Sequence, residues 1–333
     1  TAPRVTRASI QRRESRPRRT SQSDQTSGNQ DAFGVDTVQQ IPETFTFLAY
    51  PVFFADLHAI DEHLIGVDTF AAHLLDFSYL DKLSVKFGIK KGDKLLVSSN
   101  IVKIIINAKK KNIIFNQNSI IDVLKNKVGK NGTLLFPTFN WDFCKGVIFD
   151  YNKTPSRTGS LSKVALTRSD FSRTRNPIYS FAVYGKDKEK ICNLKHEDCY
   201  GLDSPFEYLI KNKGKCLLID VSYRVVSGIY RGGFPFHHVA EQKAKINYRY
   251  FKNFTGTYVD KFKKKKKITI KYFVRDLSLN YSVFIRKSLD KVLINKKILS
   301  RQINNGIRFE LIDIPKSMKV LIKDLRSKSR FFY

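Results

Sequence analysis

The strongest constraint on the fold of this chain is the alternation of apolar runs and polar turns in residues 131–185. A short apolar run at 133–136 ends at Pro137, and a turn-rich segment and a helical pattern follow it. A second apolar run at 181–184 closes at Gly185. This order of strand, loop, helix and strand predicts an open α/β sheet. Ligands bind such sheets outside the carboxyl ends of the strands, where the polar residues of this stretch are concentrated.

Strands and helices continue to alternate beyond this stretch, which predicts a three-layer α/β/α sandwich with a mixed central sheet. Residues 94–99 read as a buried strand, and residues 115–127 as a helix stopped by glycine. Pro205 and Pro235 each stand at a predicted helix start. Two segments after Pro235 alternate between apolar and polar residues, which predicts antiparallel strands. The lysine run at 260–267 joins them as a solvated hairpin.

The net charge of +30 requires an explanation. One interpretation is a polyanionic partner, which would be nucleic acid, an anionic membrane or a phosphate-bearing cofactor. The other is that lysine loads the solvated faces. The lysines are spread through the chain rather than interleaved with aromatic residues in one nucleic-acid module, which favours the second interpretation. In either case a basic surface collects an anionic substrate.

The first 80 residues differ from the rest of the chain. Residues 1–30 contain arginine but no lysine and almost no large apolar side chains, which predicts a disordered leader. Their composition also resembles that of a transit peptide. Residues 31–80 are apolar, contain no Lys or Arg, and have no assigned role. His58 and His63 lie five positions apart, not the four that place two metal ligands on one helical face, which argues against a metal site there. Residues 81–333 are the third predicted segment, a lysine-rich folded domain.

The four cysteines (residues 144, 192, 199 and 216) show no CxxC spacing, so neither a zinc site nor a disulfide framework is predicted. A reducing, cytoplasmic setting is therefore expected. No apolar stretch approaches the ~18 residues that a membrane span needs.

Six motifs follow one another within residues 83–260. They are GTLLFPTFNWDF at 132–143, TPSRTGSL at 154–161, NPIYSFAVYG at 176–185, SPFEYLI at 204–210, GKCLLIDV at 214–221 and HHVAE at 237–241. In order and spacing they resemble the aminoglycoside 3-N-acetyltransferase family. The resemblance implies that residues 81–333 are an acetyltransferase domain with a fold of the antibiotic acetyltransferase type. It also implies transfer of an acetyl group from acetyl-CoA to an amine, without a metal.

Acetyl transfer needs a base for the amine, donors for the developing oxyanion and contact between the substrates. His238 and Glu241 stand three positions apart and share one helical face. A carboxylate beside an imidazole raises its pKa and fixes its tautomer, which predicts a base poised near neutrality. The resemblance implies that this pair is catalytic. The alternative is a structural histidine near a surface glutamate. His237 faces elsewhere and is expected to be structural.

Asn176 departs from the family pattern, because the antibiotic-modifying members usually carry histidine there. That histidine is a candidate for activating the acceptor amine. Asparagine cannot take a proton at neutral pH, although its amide can orient a substrate. Three alternatives follow: His238 is the base alone, the acceptor is different, or the protein is inactive. Tyr179 offers a hydroxyl to the substrate but, with an ordinary pKa near 10, is a poor base.

Coenzyme A binding is predicted for the turn that contains Thr154, Ser156 and Arg157. Hydroxyls, backbone N–H groups and a guanidinium suit phosphate oxygens. The alternative is an ordinary proline turn with a solvated arginine.

The resemblance adds Ser98 and Ser99, at the end of a strand near the cofactor, with helix capping as the alternative. Ser180 is a weaker cofactor candidate on the same grounds. Asp142 and Asp150 lie at the predicted mouth of the site, where they can bind a cationic acceptor.

These observations predict an N-acetyltransferase that acts by direct transfer in a ternary complex, as a monomer or homodimer. A body this basic does not steer a polycation inward, so a neutral or anionic amino sugar, one linked to a nucleotide included, is expected rather than an aminoglycoside. The alternatives are a non-catalytic coenzyme A- or sugar-binding relative and a basic nucleic-acid-binding protein. Steeply salt-dependent binding to arbitrary DNA would indicate the last.

Overall fold

A computed structural model describes residues 87–223, 234–276, 278–279 and 288–327. The predicted leader, the apolar segment at 31–80 and the histidine pair at 58 and 63 lie outside them. The described residues contain ten strands: β1 Lys94–Ser99, β2 Thr133–Pro137, β3 Phe149–Asp150, β4 Ser172–Arg173, β5 Phe181–Gly185, β6 Lys215–Ile219, β7 Arg249–Val259, β8 Lys265–Arg275, β9 Leu299–Asn304 and β10 Ile307–Asp313.

Seven of these strands form one mixed sheet in the order β4-β5-β2-β1-β6-β10-β9. The three central strands β2, β1 and β6 are parallel, whereas β5 and β10 run antiparallel to their neighbours. The predicted mixed sheet is confirmed.

Helices cover both faces of this sheet. Leu95 and Val97 point into the core beneath the helices at 102–110, 117–128 and 160–167, whereas Leu96 points into the core on the opposite face. Alternate strand residues therefore fill two cores, and the predicted three-layer arrangement is confirmed. Within the described ranges, no helix is both long and apolar enough to cross a membrane. The helices are α1 Val102–Lys110, α2 Gln117–Val128, α3 Ser160–Thr167, α4 Lys188–Cys192, α5 Pro205–Lys211, α6 Phe236–Ala244, α7 Ser288–Asn295 and α8 Ile314–Arg326, with a 3₁₀ turn at Asp142–Lys145.

Local signals explain several helix ends. Asn116 caps α2 by accepting a hydrogen bond from the Asn118 amide at 2.9 Å. Ser204 accepts one from the Glu207 amide at 3.2 Å, with proline at the first position of α5. Helix α1 was not predicted, because consecutive isoleucines hide its period: Ile104 is buried while its neighbours at 105 and 106 are exposed.

A second sheet has the order β3-β7-β8, and its β7–β8 hairpin pairs over the full length of both strands. Ile270 and Phe273 join this hairpin to the core on one face of the main sheet. The lysine run was predicted to be a solvated hairpin, and residues 261–267 are exposed in the hairpin of β7 and β8. Lys265, Lys266 and Lys267 belong to β8, and the turn is confined to the residues before them.

The parallel strands β1, β2 and β6 bring their carboxyl ends to one edge of the main sheet. Strand β5 starts at that edge, because Phe181 is paired with Pro137 at the end of β2. The segment before β5, residues 176–180, therefore enters at the edge where the turns after β1 and β2 lie. This edge positions the candidate site.

Gly185 is required by a close approach of two chain segments. Its φ is +103°, and a Cβ there would lie 2.1 Å from the Gly132 carbonyl oxygen. We expect Gly185→Ala to lower the free energy of unfolding by about 2 kcal/mol more than Gly306→Ala in denaturant titrations. Gly306 has a φ of +74° with nothing within 4 Å of the added Cβ, so the difference isolates the steric contact. Equal losses would contradict this account of Gly185.

Candidate active site

Helix α6 places His238 and Glu241 on one face, one turn apart. His238 Nδ1 lies 2.9 Å from Glu241 Oε2. The Tyr248 hydroxyl donates to Glu241 Oε1 at 3.1 Å. The Glu241 side chain is 2% exposed and that of His238 is 16% exposed, so the carboxylate is buried while the imidazole reaches the surface. The three-residue spacing thus predicted a real contact.

Arg249 completes this cluster and was missed in the sequence. Its Nε lies 2.8 Å from Glu241 Oε2, and its Nη2 lies 2.9 Å from His238 Nδ1. Its Nη1 donates to the Phe273 carbonyl at 3.2 Å. Arg249 is the first residue of β7, in a different element from the histidine, and no local motif marks it.

The pKa of His238 is lowered, which corrects the predicted rise. Burial is the largest cause, because it disfavours the imidazolium, and the Arg249 charge acts in the same direction. Glu241 raises the pKa but does not overcome them. Burial alone would raise the pKa of Glu241, because it disfavours the carboxylate. The Arg249 charge and the His238 contact nevertheless bring this pKa down to about 2. At neutral pH the pair is therefore a neutral imidazole beside a carboxylate.

His237 is fully buried on another face of α6. Its Nε2 lies 2.9 Å from the Tyr223 carbonyl oxygen. Burial lowers its pKa to about 4, so it remains neutral at physiological pH. This contact ties α6 to the end of the segment that follows β6, which is a structural task.

Buried tyrosines connect residues 176–180 to His238. The Tyr200 ring lies 6.0 Å from the His238 ring and 5.0 Å from the Tyr179 ring. The Tyr179 hydroxyl is 2.9 Å from the Tyr272 hydroxyl. Burial raises the pKa of Tyr179 well above its ordinary value and that of Tyr272 to about 12. These groups are hydroxyl donors or acceptors and not bases, and the sequence had pointed only to Tyr179.

Asn176 shapes the turn that carries Tyr179. Its Oδ1 accepts hydrogen bonds from the Ile178 amide at 2.9 Å and the Tyr179 amide at 2.8 Å. Its Nδ2 donates to the His196 carbonyl at 2.8 Å. The side chain is 1% exposed and both of its polar atoms are engaged. This geometry makes Asn176 a turn residue, and a direct role in catalysis stays a prediction without support from its contacts.

The predicted cofactor turn is held by its own hydroxyls. Thr154 Oγ1 accepts from the Asp150 amide at 2.8 Å, and Ser156 Oγ accepts from the Thr158 amide at 3.1 Å. Arg157 is different, since its side chain is 58% exposed and its Nη2 donates to Asp142 Oδ2 at 2.8 Å. The guanidinium is the group of this turn that reaches outward.

A surface cavity of about 250 Å³ brings Asp142, Asp150 and Thr154 together. Asp150 Oδ1 accepts from the amides of Asn152 at 2.8 Å and Lys153 at 3.0 Å, so one of its oxygens serves the turn. The two acids thus share one lining with Thr154 of the predicted cofactor turn, and their role in binding an acceptor stays a prediction.

Ser98 and Ser99 end β1 beside this turn. A Cβ on Gly159, whose φ is +65°, would lie 3.1 Å from the Ser99 carbonyl oxygen, which shows how closely the segments approach. Ser98 is nearly buried. Ser180 is fully buried; its Oγ donates to the Thr138 carbonyl at 2.8 Å. We therefore leave Ser180 out of the proposed cofactor site.

Arg173 is a buried guanidinium that organises this edge. It donates to the Thr154 carbonyl and, through Nε, to Ser180 Oγ at 3.0 Å. Its guanidinium carbon lies 4.6 Å from the centre of the Phe149 ring. Burial lowers its pKa to about 10, and it stays charged at neutral pH. Arg173 thereby fixes the backbone of the cofactor turn to strand β5.

The described residues thus form an α/β sandwich that carries an imidazole–carboxylate pair and an exposed Arg157 at the edge of its sheet. The family model described as aminoglycoside 3-N-acetyltransferase matches residues 109–316, more than half of the chain. The chain belongs to this family and is an N-acetyltransferase. No curated protein matches it.

Solved structures share its fold at low sequence identity. The aminoglycoside acetyltransferase AAC(3)-Xa is 16% identical, with a TM-score of 0.60 over 75% of this chain and 92% of that one. AAC-IIIb in a binary complex with CoASH is 17% identical, with a TM-score of 0.60 over 74% and 94%. The YokD protein from Bacillus subtilis is 19% identical, with a TM-score of 0.54 over 72% and 94%.

The buried His196 predicts a measurable loss of stability in acid. Burial lowers its pKa to about 4, so below pH ~6.5 the unfolded chain takes up a proton that the folded chain does not. The free energy of unfolding therefore falls as pH falls. In urea titrations from pH 6 to pH 4.5, we expect the free energy of unfolding to depend less steeply on pH in His196→Asn than in wild type. The difference between the two slopes should approach ~1.4 kcal/mol per pH unit. Asparagine tolerates the φ of +51° found at this position.

The exposed Asn193 provides the control for this titration. Asn193→Ala should shift the stability without changing its slope against pH. An unchanged slope in His196→Asn would contradict the assignment of a neutral buried histidine.

Proposed function

We propose that this protein transfers the acetyl group of acetyl-CoA directly to an amine within a ternary complex, with His238 as the general base. The observation that carries the proposal is the 2.9 Å contact between His238 Nδ1 and the buried Glu241 carboxylate. A proton on Nδ1 directed at Glu241 leaves Nε2 as the basic nitrogen. The lowered pKa of His238 supports this role, because the imidazole is already unprotonated near pH 7.

The proposed reaction balances without a further reactant. The amine nitrogen attacks the thioester carbonyl carbon, and its proton passes to His238 Nε2. The C–N bond forms, the carbonyl oxygen carries the developing charge, and the C–S bond then breaks. The departing thiolate takes the proton from the imidazolium, which yields the amide and the thiol of coenzyme A.

We assign the phosphates of coenzyme A to the turn that ends at Arg157. Its guanidinium is exposed and held by a single carboxylate, Asp142, which a phosphate can replace. Thr154 and Ser156 support the turn from within, and Ser98 and Ser99 lie beside it at the end of β1. The binary complex of AAC-IIIb with CoASH supports acetyl-CoA as the donor for this family member.

The proposed acceptor is an amino sugar that is neutral or anionic overall, such as a nucleotide-linked one. The net charge of +30 opposes the inward steering of a polycation. Asp142 and Asp150 supply carboxylates at the cavity for one ammonium group. Tyr179 adds a hydroxyl on a ring that packs against Tyr200, the residue that lies next to the proposed base. Aminoglycosides are the competing acceptor class, since a relative named AAC-VIa is described as bound to sisomicin.

The base is tested by His238→Gln, which keeps a polar side chain of similar size but cannot take a proton. We expect kcat for thiol release from acetyl-CoA to fall ~100-fold or more with the best acceptor, with coenzyme A binding retained. The panel would contain amino sugars, sugar nucleotides and aminoglycosides.

Lys243→Ala is the matched control on the same helix, because Lys243 pairs away from the site with Glu207 at 2.7 Å. Its kcat should stay within a few-fold of wild type. Full activity in His238→Gln would refute the base. Coenzyme A binding without turnover on any acceptor would indicate a non-catalytic relative.

The cofactor turn is tested by Arg157→Ala. Loss of a charge-assisted contact to phosphate should weaken coenzyme A binding ~10-fold or more by calorimetry. Lys163→Ala removes the same charge from an exposed position of α3 and should have a smaller effect. Equal losses would show general attraction of the anion rather than a specific contact.

A further inference from the structure

We propose that Arg249 is a positioning residue for His238, sharing the Glu241 carboxylate with the imidazole so that the base stays neutral until it takes the proton of the acceptor. This inference rests on the proposed function of His238. Arg249 belongs to none of the motifs that carry the family resemblance.

The geometry sets two partners in competition for one nitrogen. His238 Nδ1 lies 2.9 Å from Glu241 Oε2 and 2.9 Å from Arg249 Nη2. A guanidinium only donates hydrogen bonds and a carboxylate only accepts them. With a proton, Nδ1 can bond only to Glu241; without it, Nδ1 can bond only to Arg249. The proposed base needs the first state, because a proton on Nδ1 leaves Nε2 free to accept one. In that state Arg249 holds the Glu241 carboxylate and donates no hydrogen bond to the ring.

Arg249 and the imidazole also contact the same oxygen of the Glu241 carboxylate. Its Nε lies 2.8 Å from Glu241 Oε2, and its side chain is only 10% exposed. In this poorly solvated setting the two opposite charges interact strongly. Imidazolium formation at His238 would place a second cation beside Arg249, which makes charging the ring costly.

Among the residues that the structure describes, few other groups around His238 can carry charge at neutral pH. On α6 the neighbours are Glu241 and His237, and His237 is neutral because its pKa is about 4. Tyr200 faces the ring from the loop before α5. Burial raises the pKa of Tyr200 well above its ordinary value. Tyr248 contacts Glu241, and Tyr272 on β8 has its pKa raised to about 12. Glu241 and Arg249 are thus the charged groups of this described part that act on the ring.

This arrangement suits both halves of the proposed proton transfer. A neutral imidazole can accept the proton of the amine without first losing one to water. The imidazolium that forms is a stronger acid because of Arg249, so it gives its proton readily to the departing thiolate, whose ordinary thiol pKa is ~8.5.

The test compares Arg249→Gln and Arg249→Lys with wild type in the pH profile of kcat/KM. Glutamine removes the charge, so Glu241 alone acts on the imidazole and the acid limb should move up by ~1 pH unit. Lysine keeps the charge and should leave the limb near its wild-type position. A limb that does not move in Arg249→Gln would overturn the proposal.

Arg301→Gln is the control for loss of a buried ion pair. Arg301 Nη2 contacts Asp290 Oδ2 at 2.9 Å and Glu310 Oε1 at 2.7 Å, and neither carboxylate belongs to the cluster of His238, Glu241 and Arg249. We expect this variant to lose stability as Arg249→Gln does while its acid limb stays in place. A limb that moves equally in both variants would assign the shift to general destabilisation and overturn the positioning role.

A second readout separates this inference from the proposed function. The imidazole of His238 can be titrated by NMR without acetyl-CoA, with its signals identified by their absence in His238→Gln. The proposal expects its pKa to rise by ~1 in Arg249→Gln and to be restored in Arg249→Lys. If wild type turns over no acceptor, the general base fails while this titration still decides the role of Arg249. An unchanged pKa in a folded Arg249→Gln protein overturns it.

Discussion

The candidate site depends on the contacts of the buried Glu241 carboxylate. An ionised carboxylate that is 2% exposed would cost several kcal/mol if it stood alone. It persists because Arg249, His238 and Tyr248 surround it, and its pKa of about 2 keeps it ionised over the whole physiological range. These partners come from helix α6, from the residue before β7 and from β7 itself. The ionised Glu241 therefore links helix α6, which carries the proposed base, to the β7–β8 hairpin.

The buried guanidinium of Arg173 links chain segments in the same way at the proposed cofactor turn. Arg173 joins the cofactor turn at Thr154 to the start of β5 at Ser180, and it does so through neutral oxygen acceptors. The tyrosines at 179 and 200 fill the space between this edge and His238. The two proposed substrate positions are thus connected through the sheet, two buried arginines and packed aromatic rings. The proposed direct transfer requires a fixed geometry, because two substrates must meet in one orientation.

Several parts of this structure follow from short stretches of sequence. The edge of the sheet was predicted from apolar runs that end in polar turns, and the His238–Glu241 contact from a spacing of three within one helix. Arg249 and Tyr272 could not be predicted in this way, since strands β7 and β8 reach the histidine only through tertiary packing. The direction of the His238 pKa shift was wrong for the same reason. The shift depends on burial and on the guanidinium of Arg249, which comes from another element, whereas the sequence indicated only the carboxylate on the same helix. Asn176 was interpreted by its chemistry, but its backbone contacts give it a structural task.

The proposed mechanism requires that His238 accept the proton of the acceptor amine. A structure of the protein with coenzyme A and its best amino-sugar acceptor would measure the distance from the reacting nitrogen to His238 Nε2. We expect a hydrogen-bond distance of ~2.6–3.2 Å, direct or through one water, with Nδ1 still directed at Glu241. An acceptor amine placed away from His238 and held by another proton acceptor would contradict it.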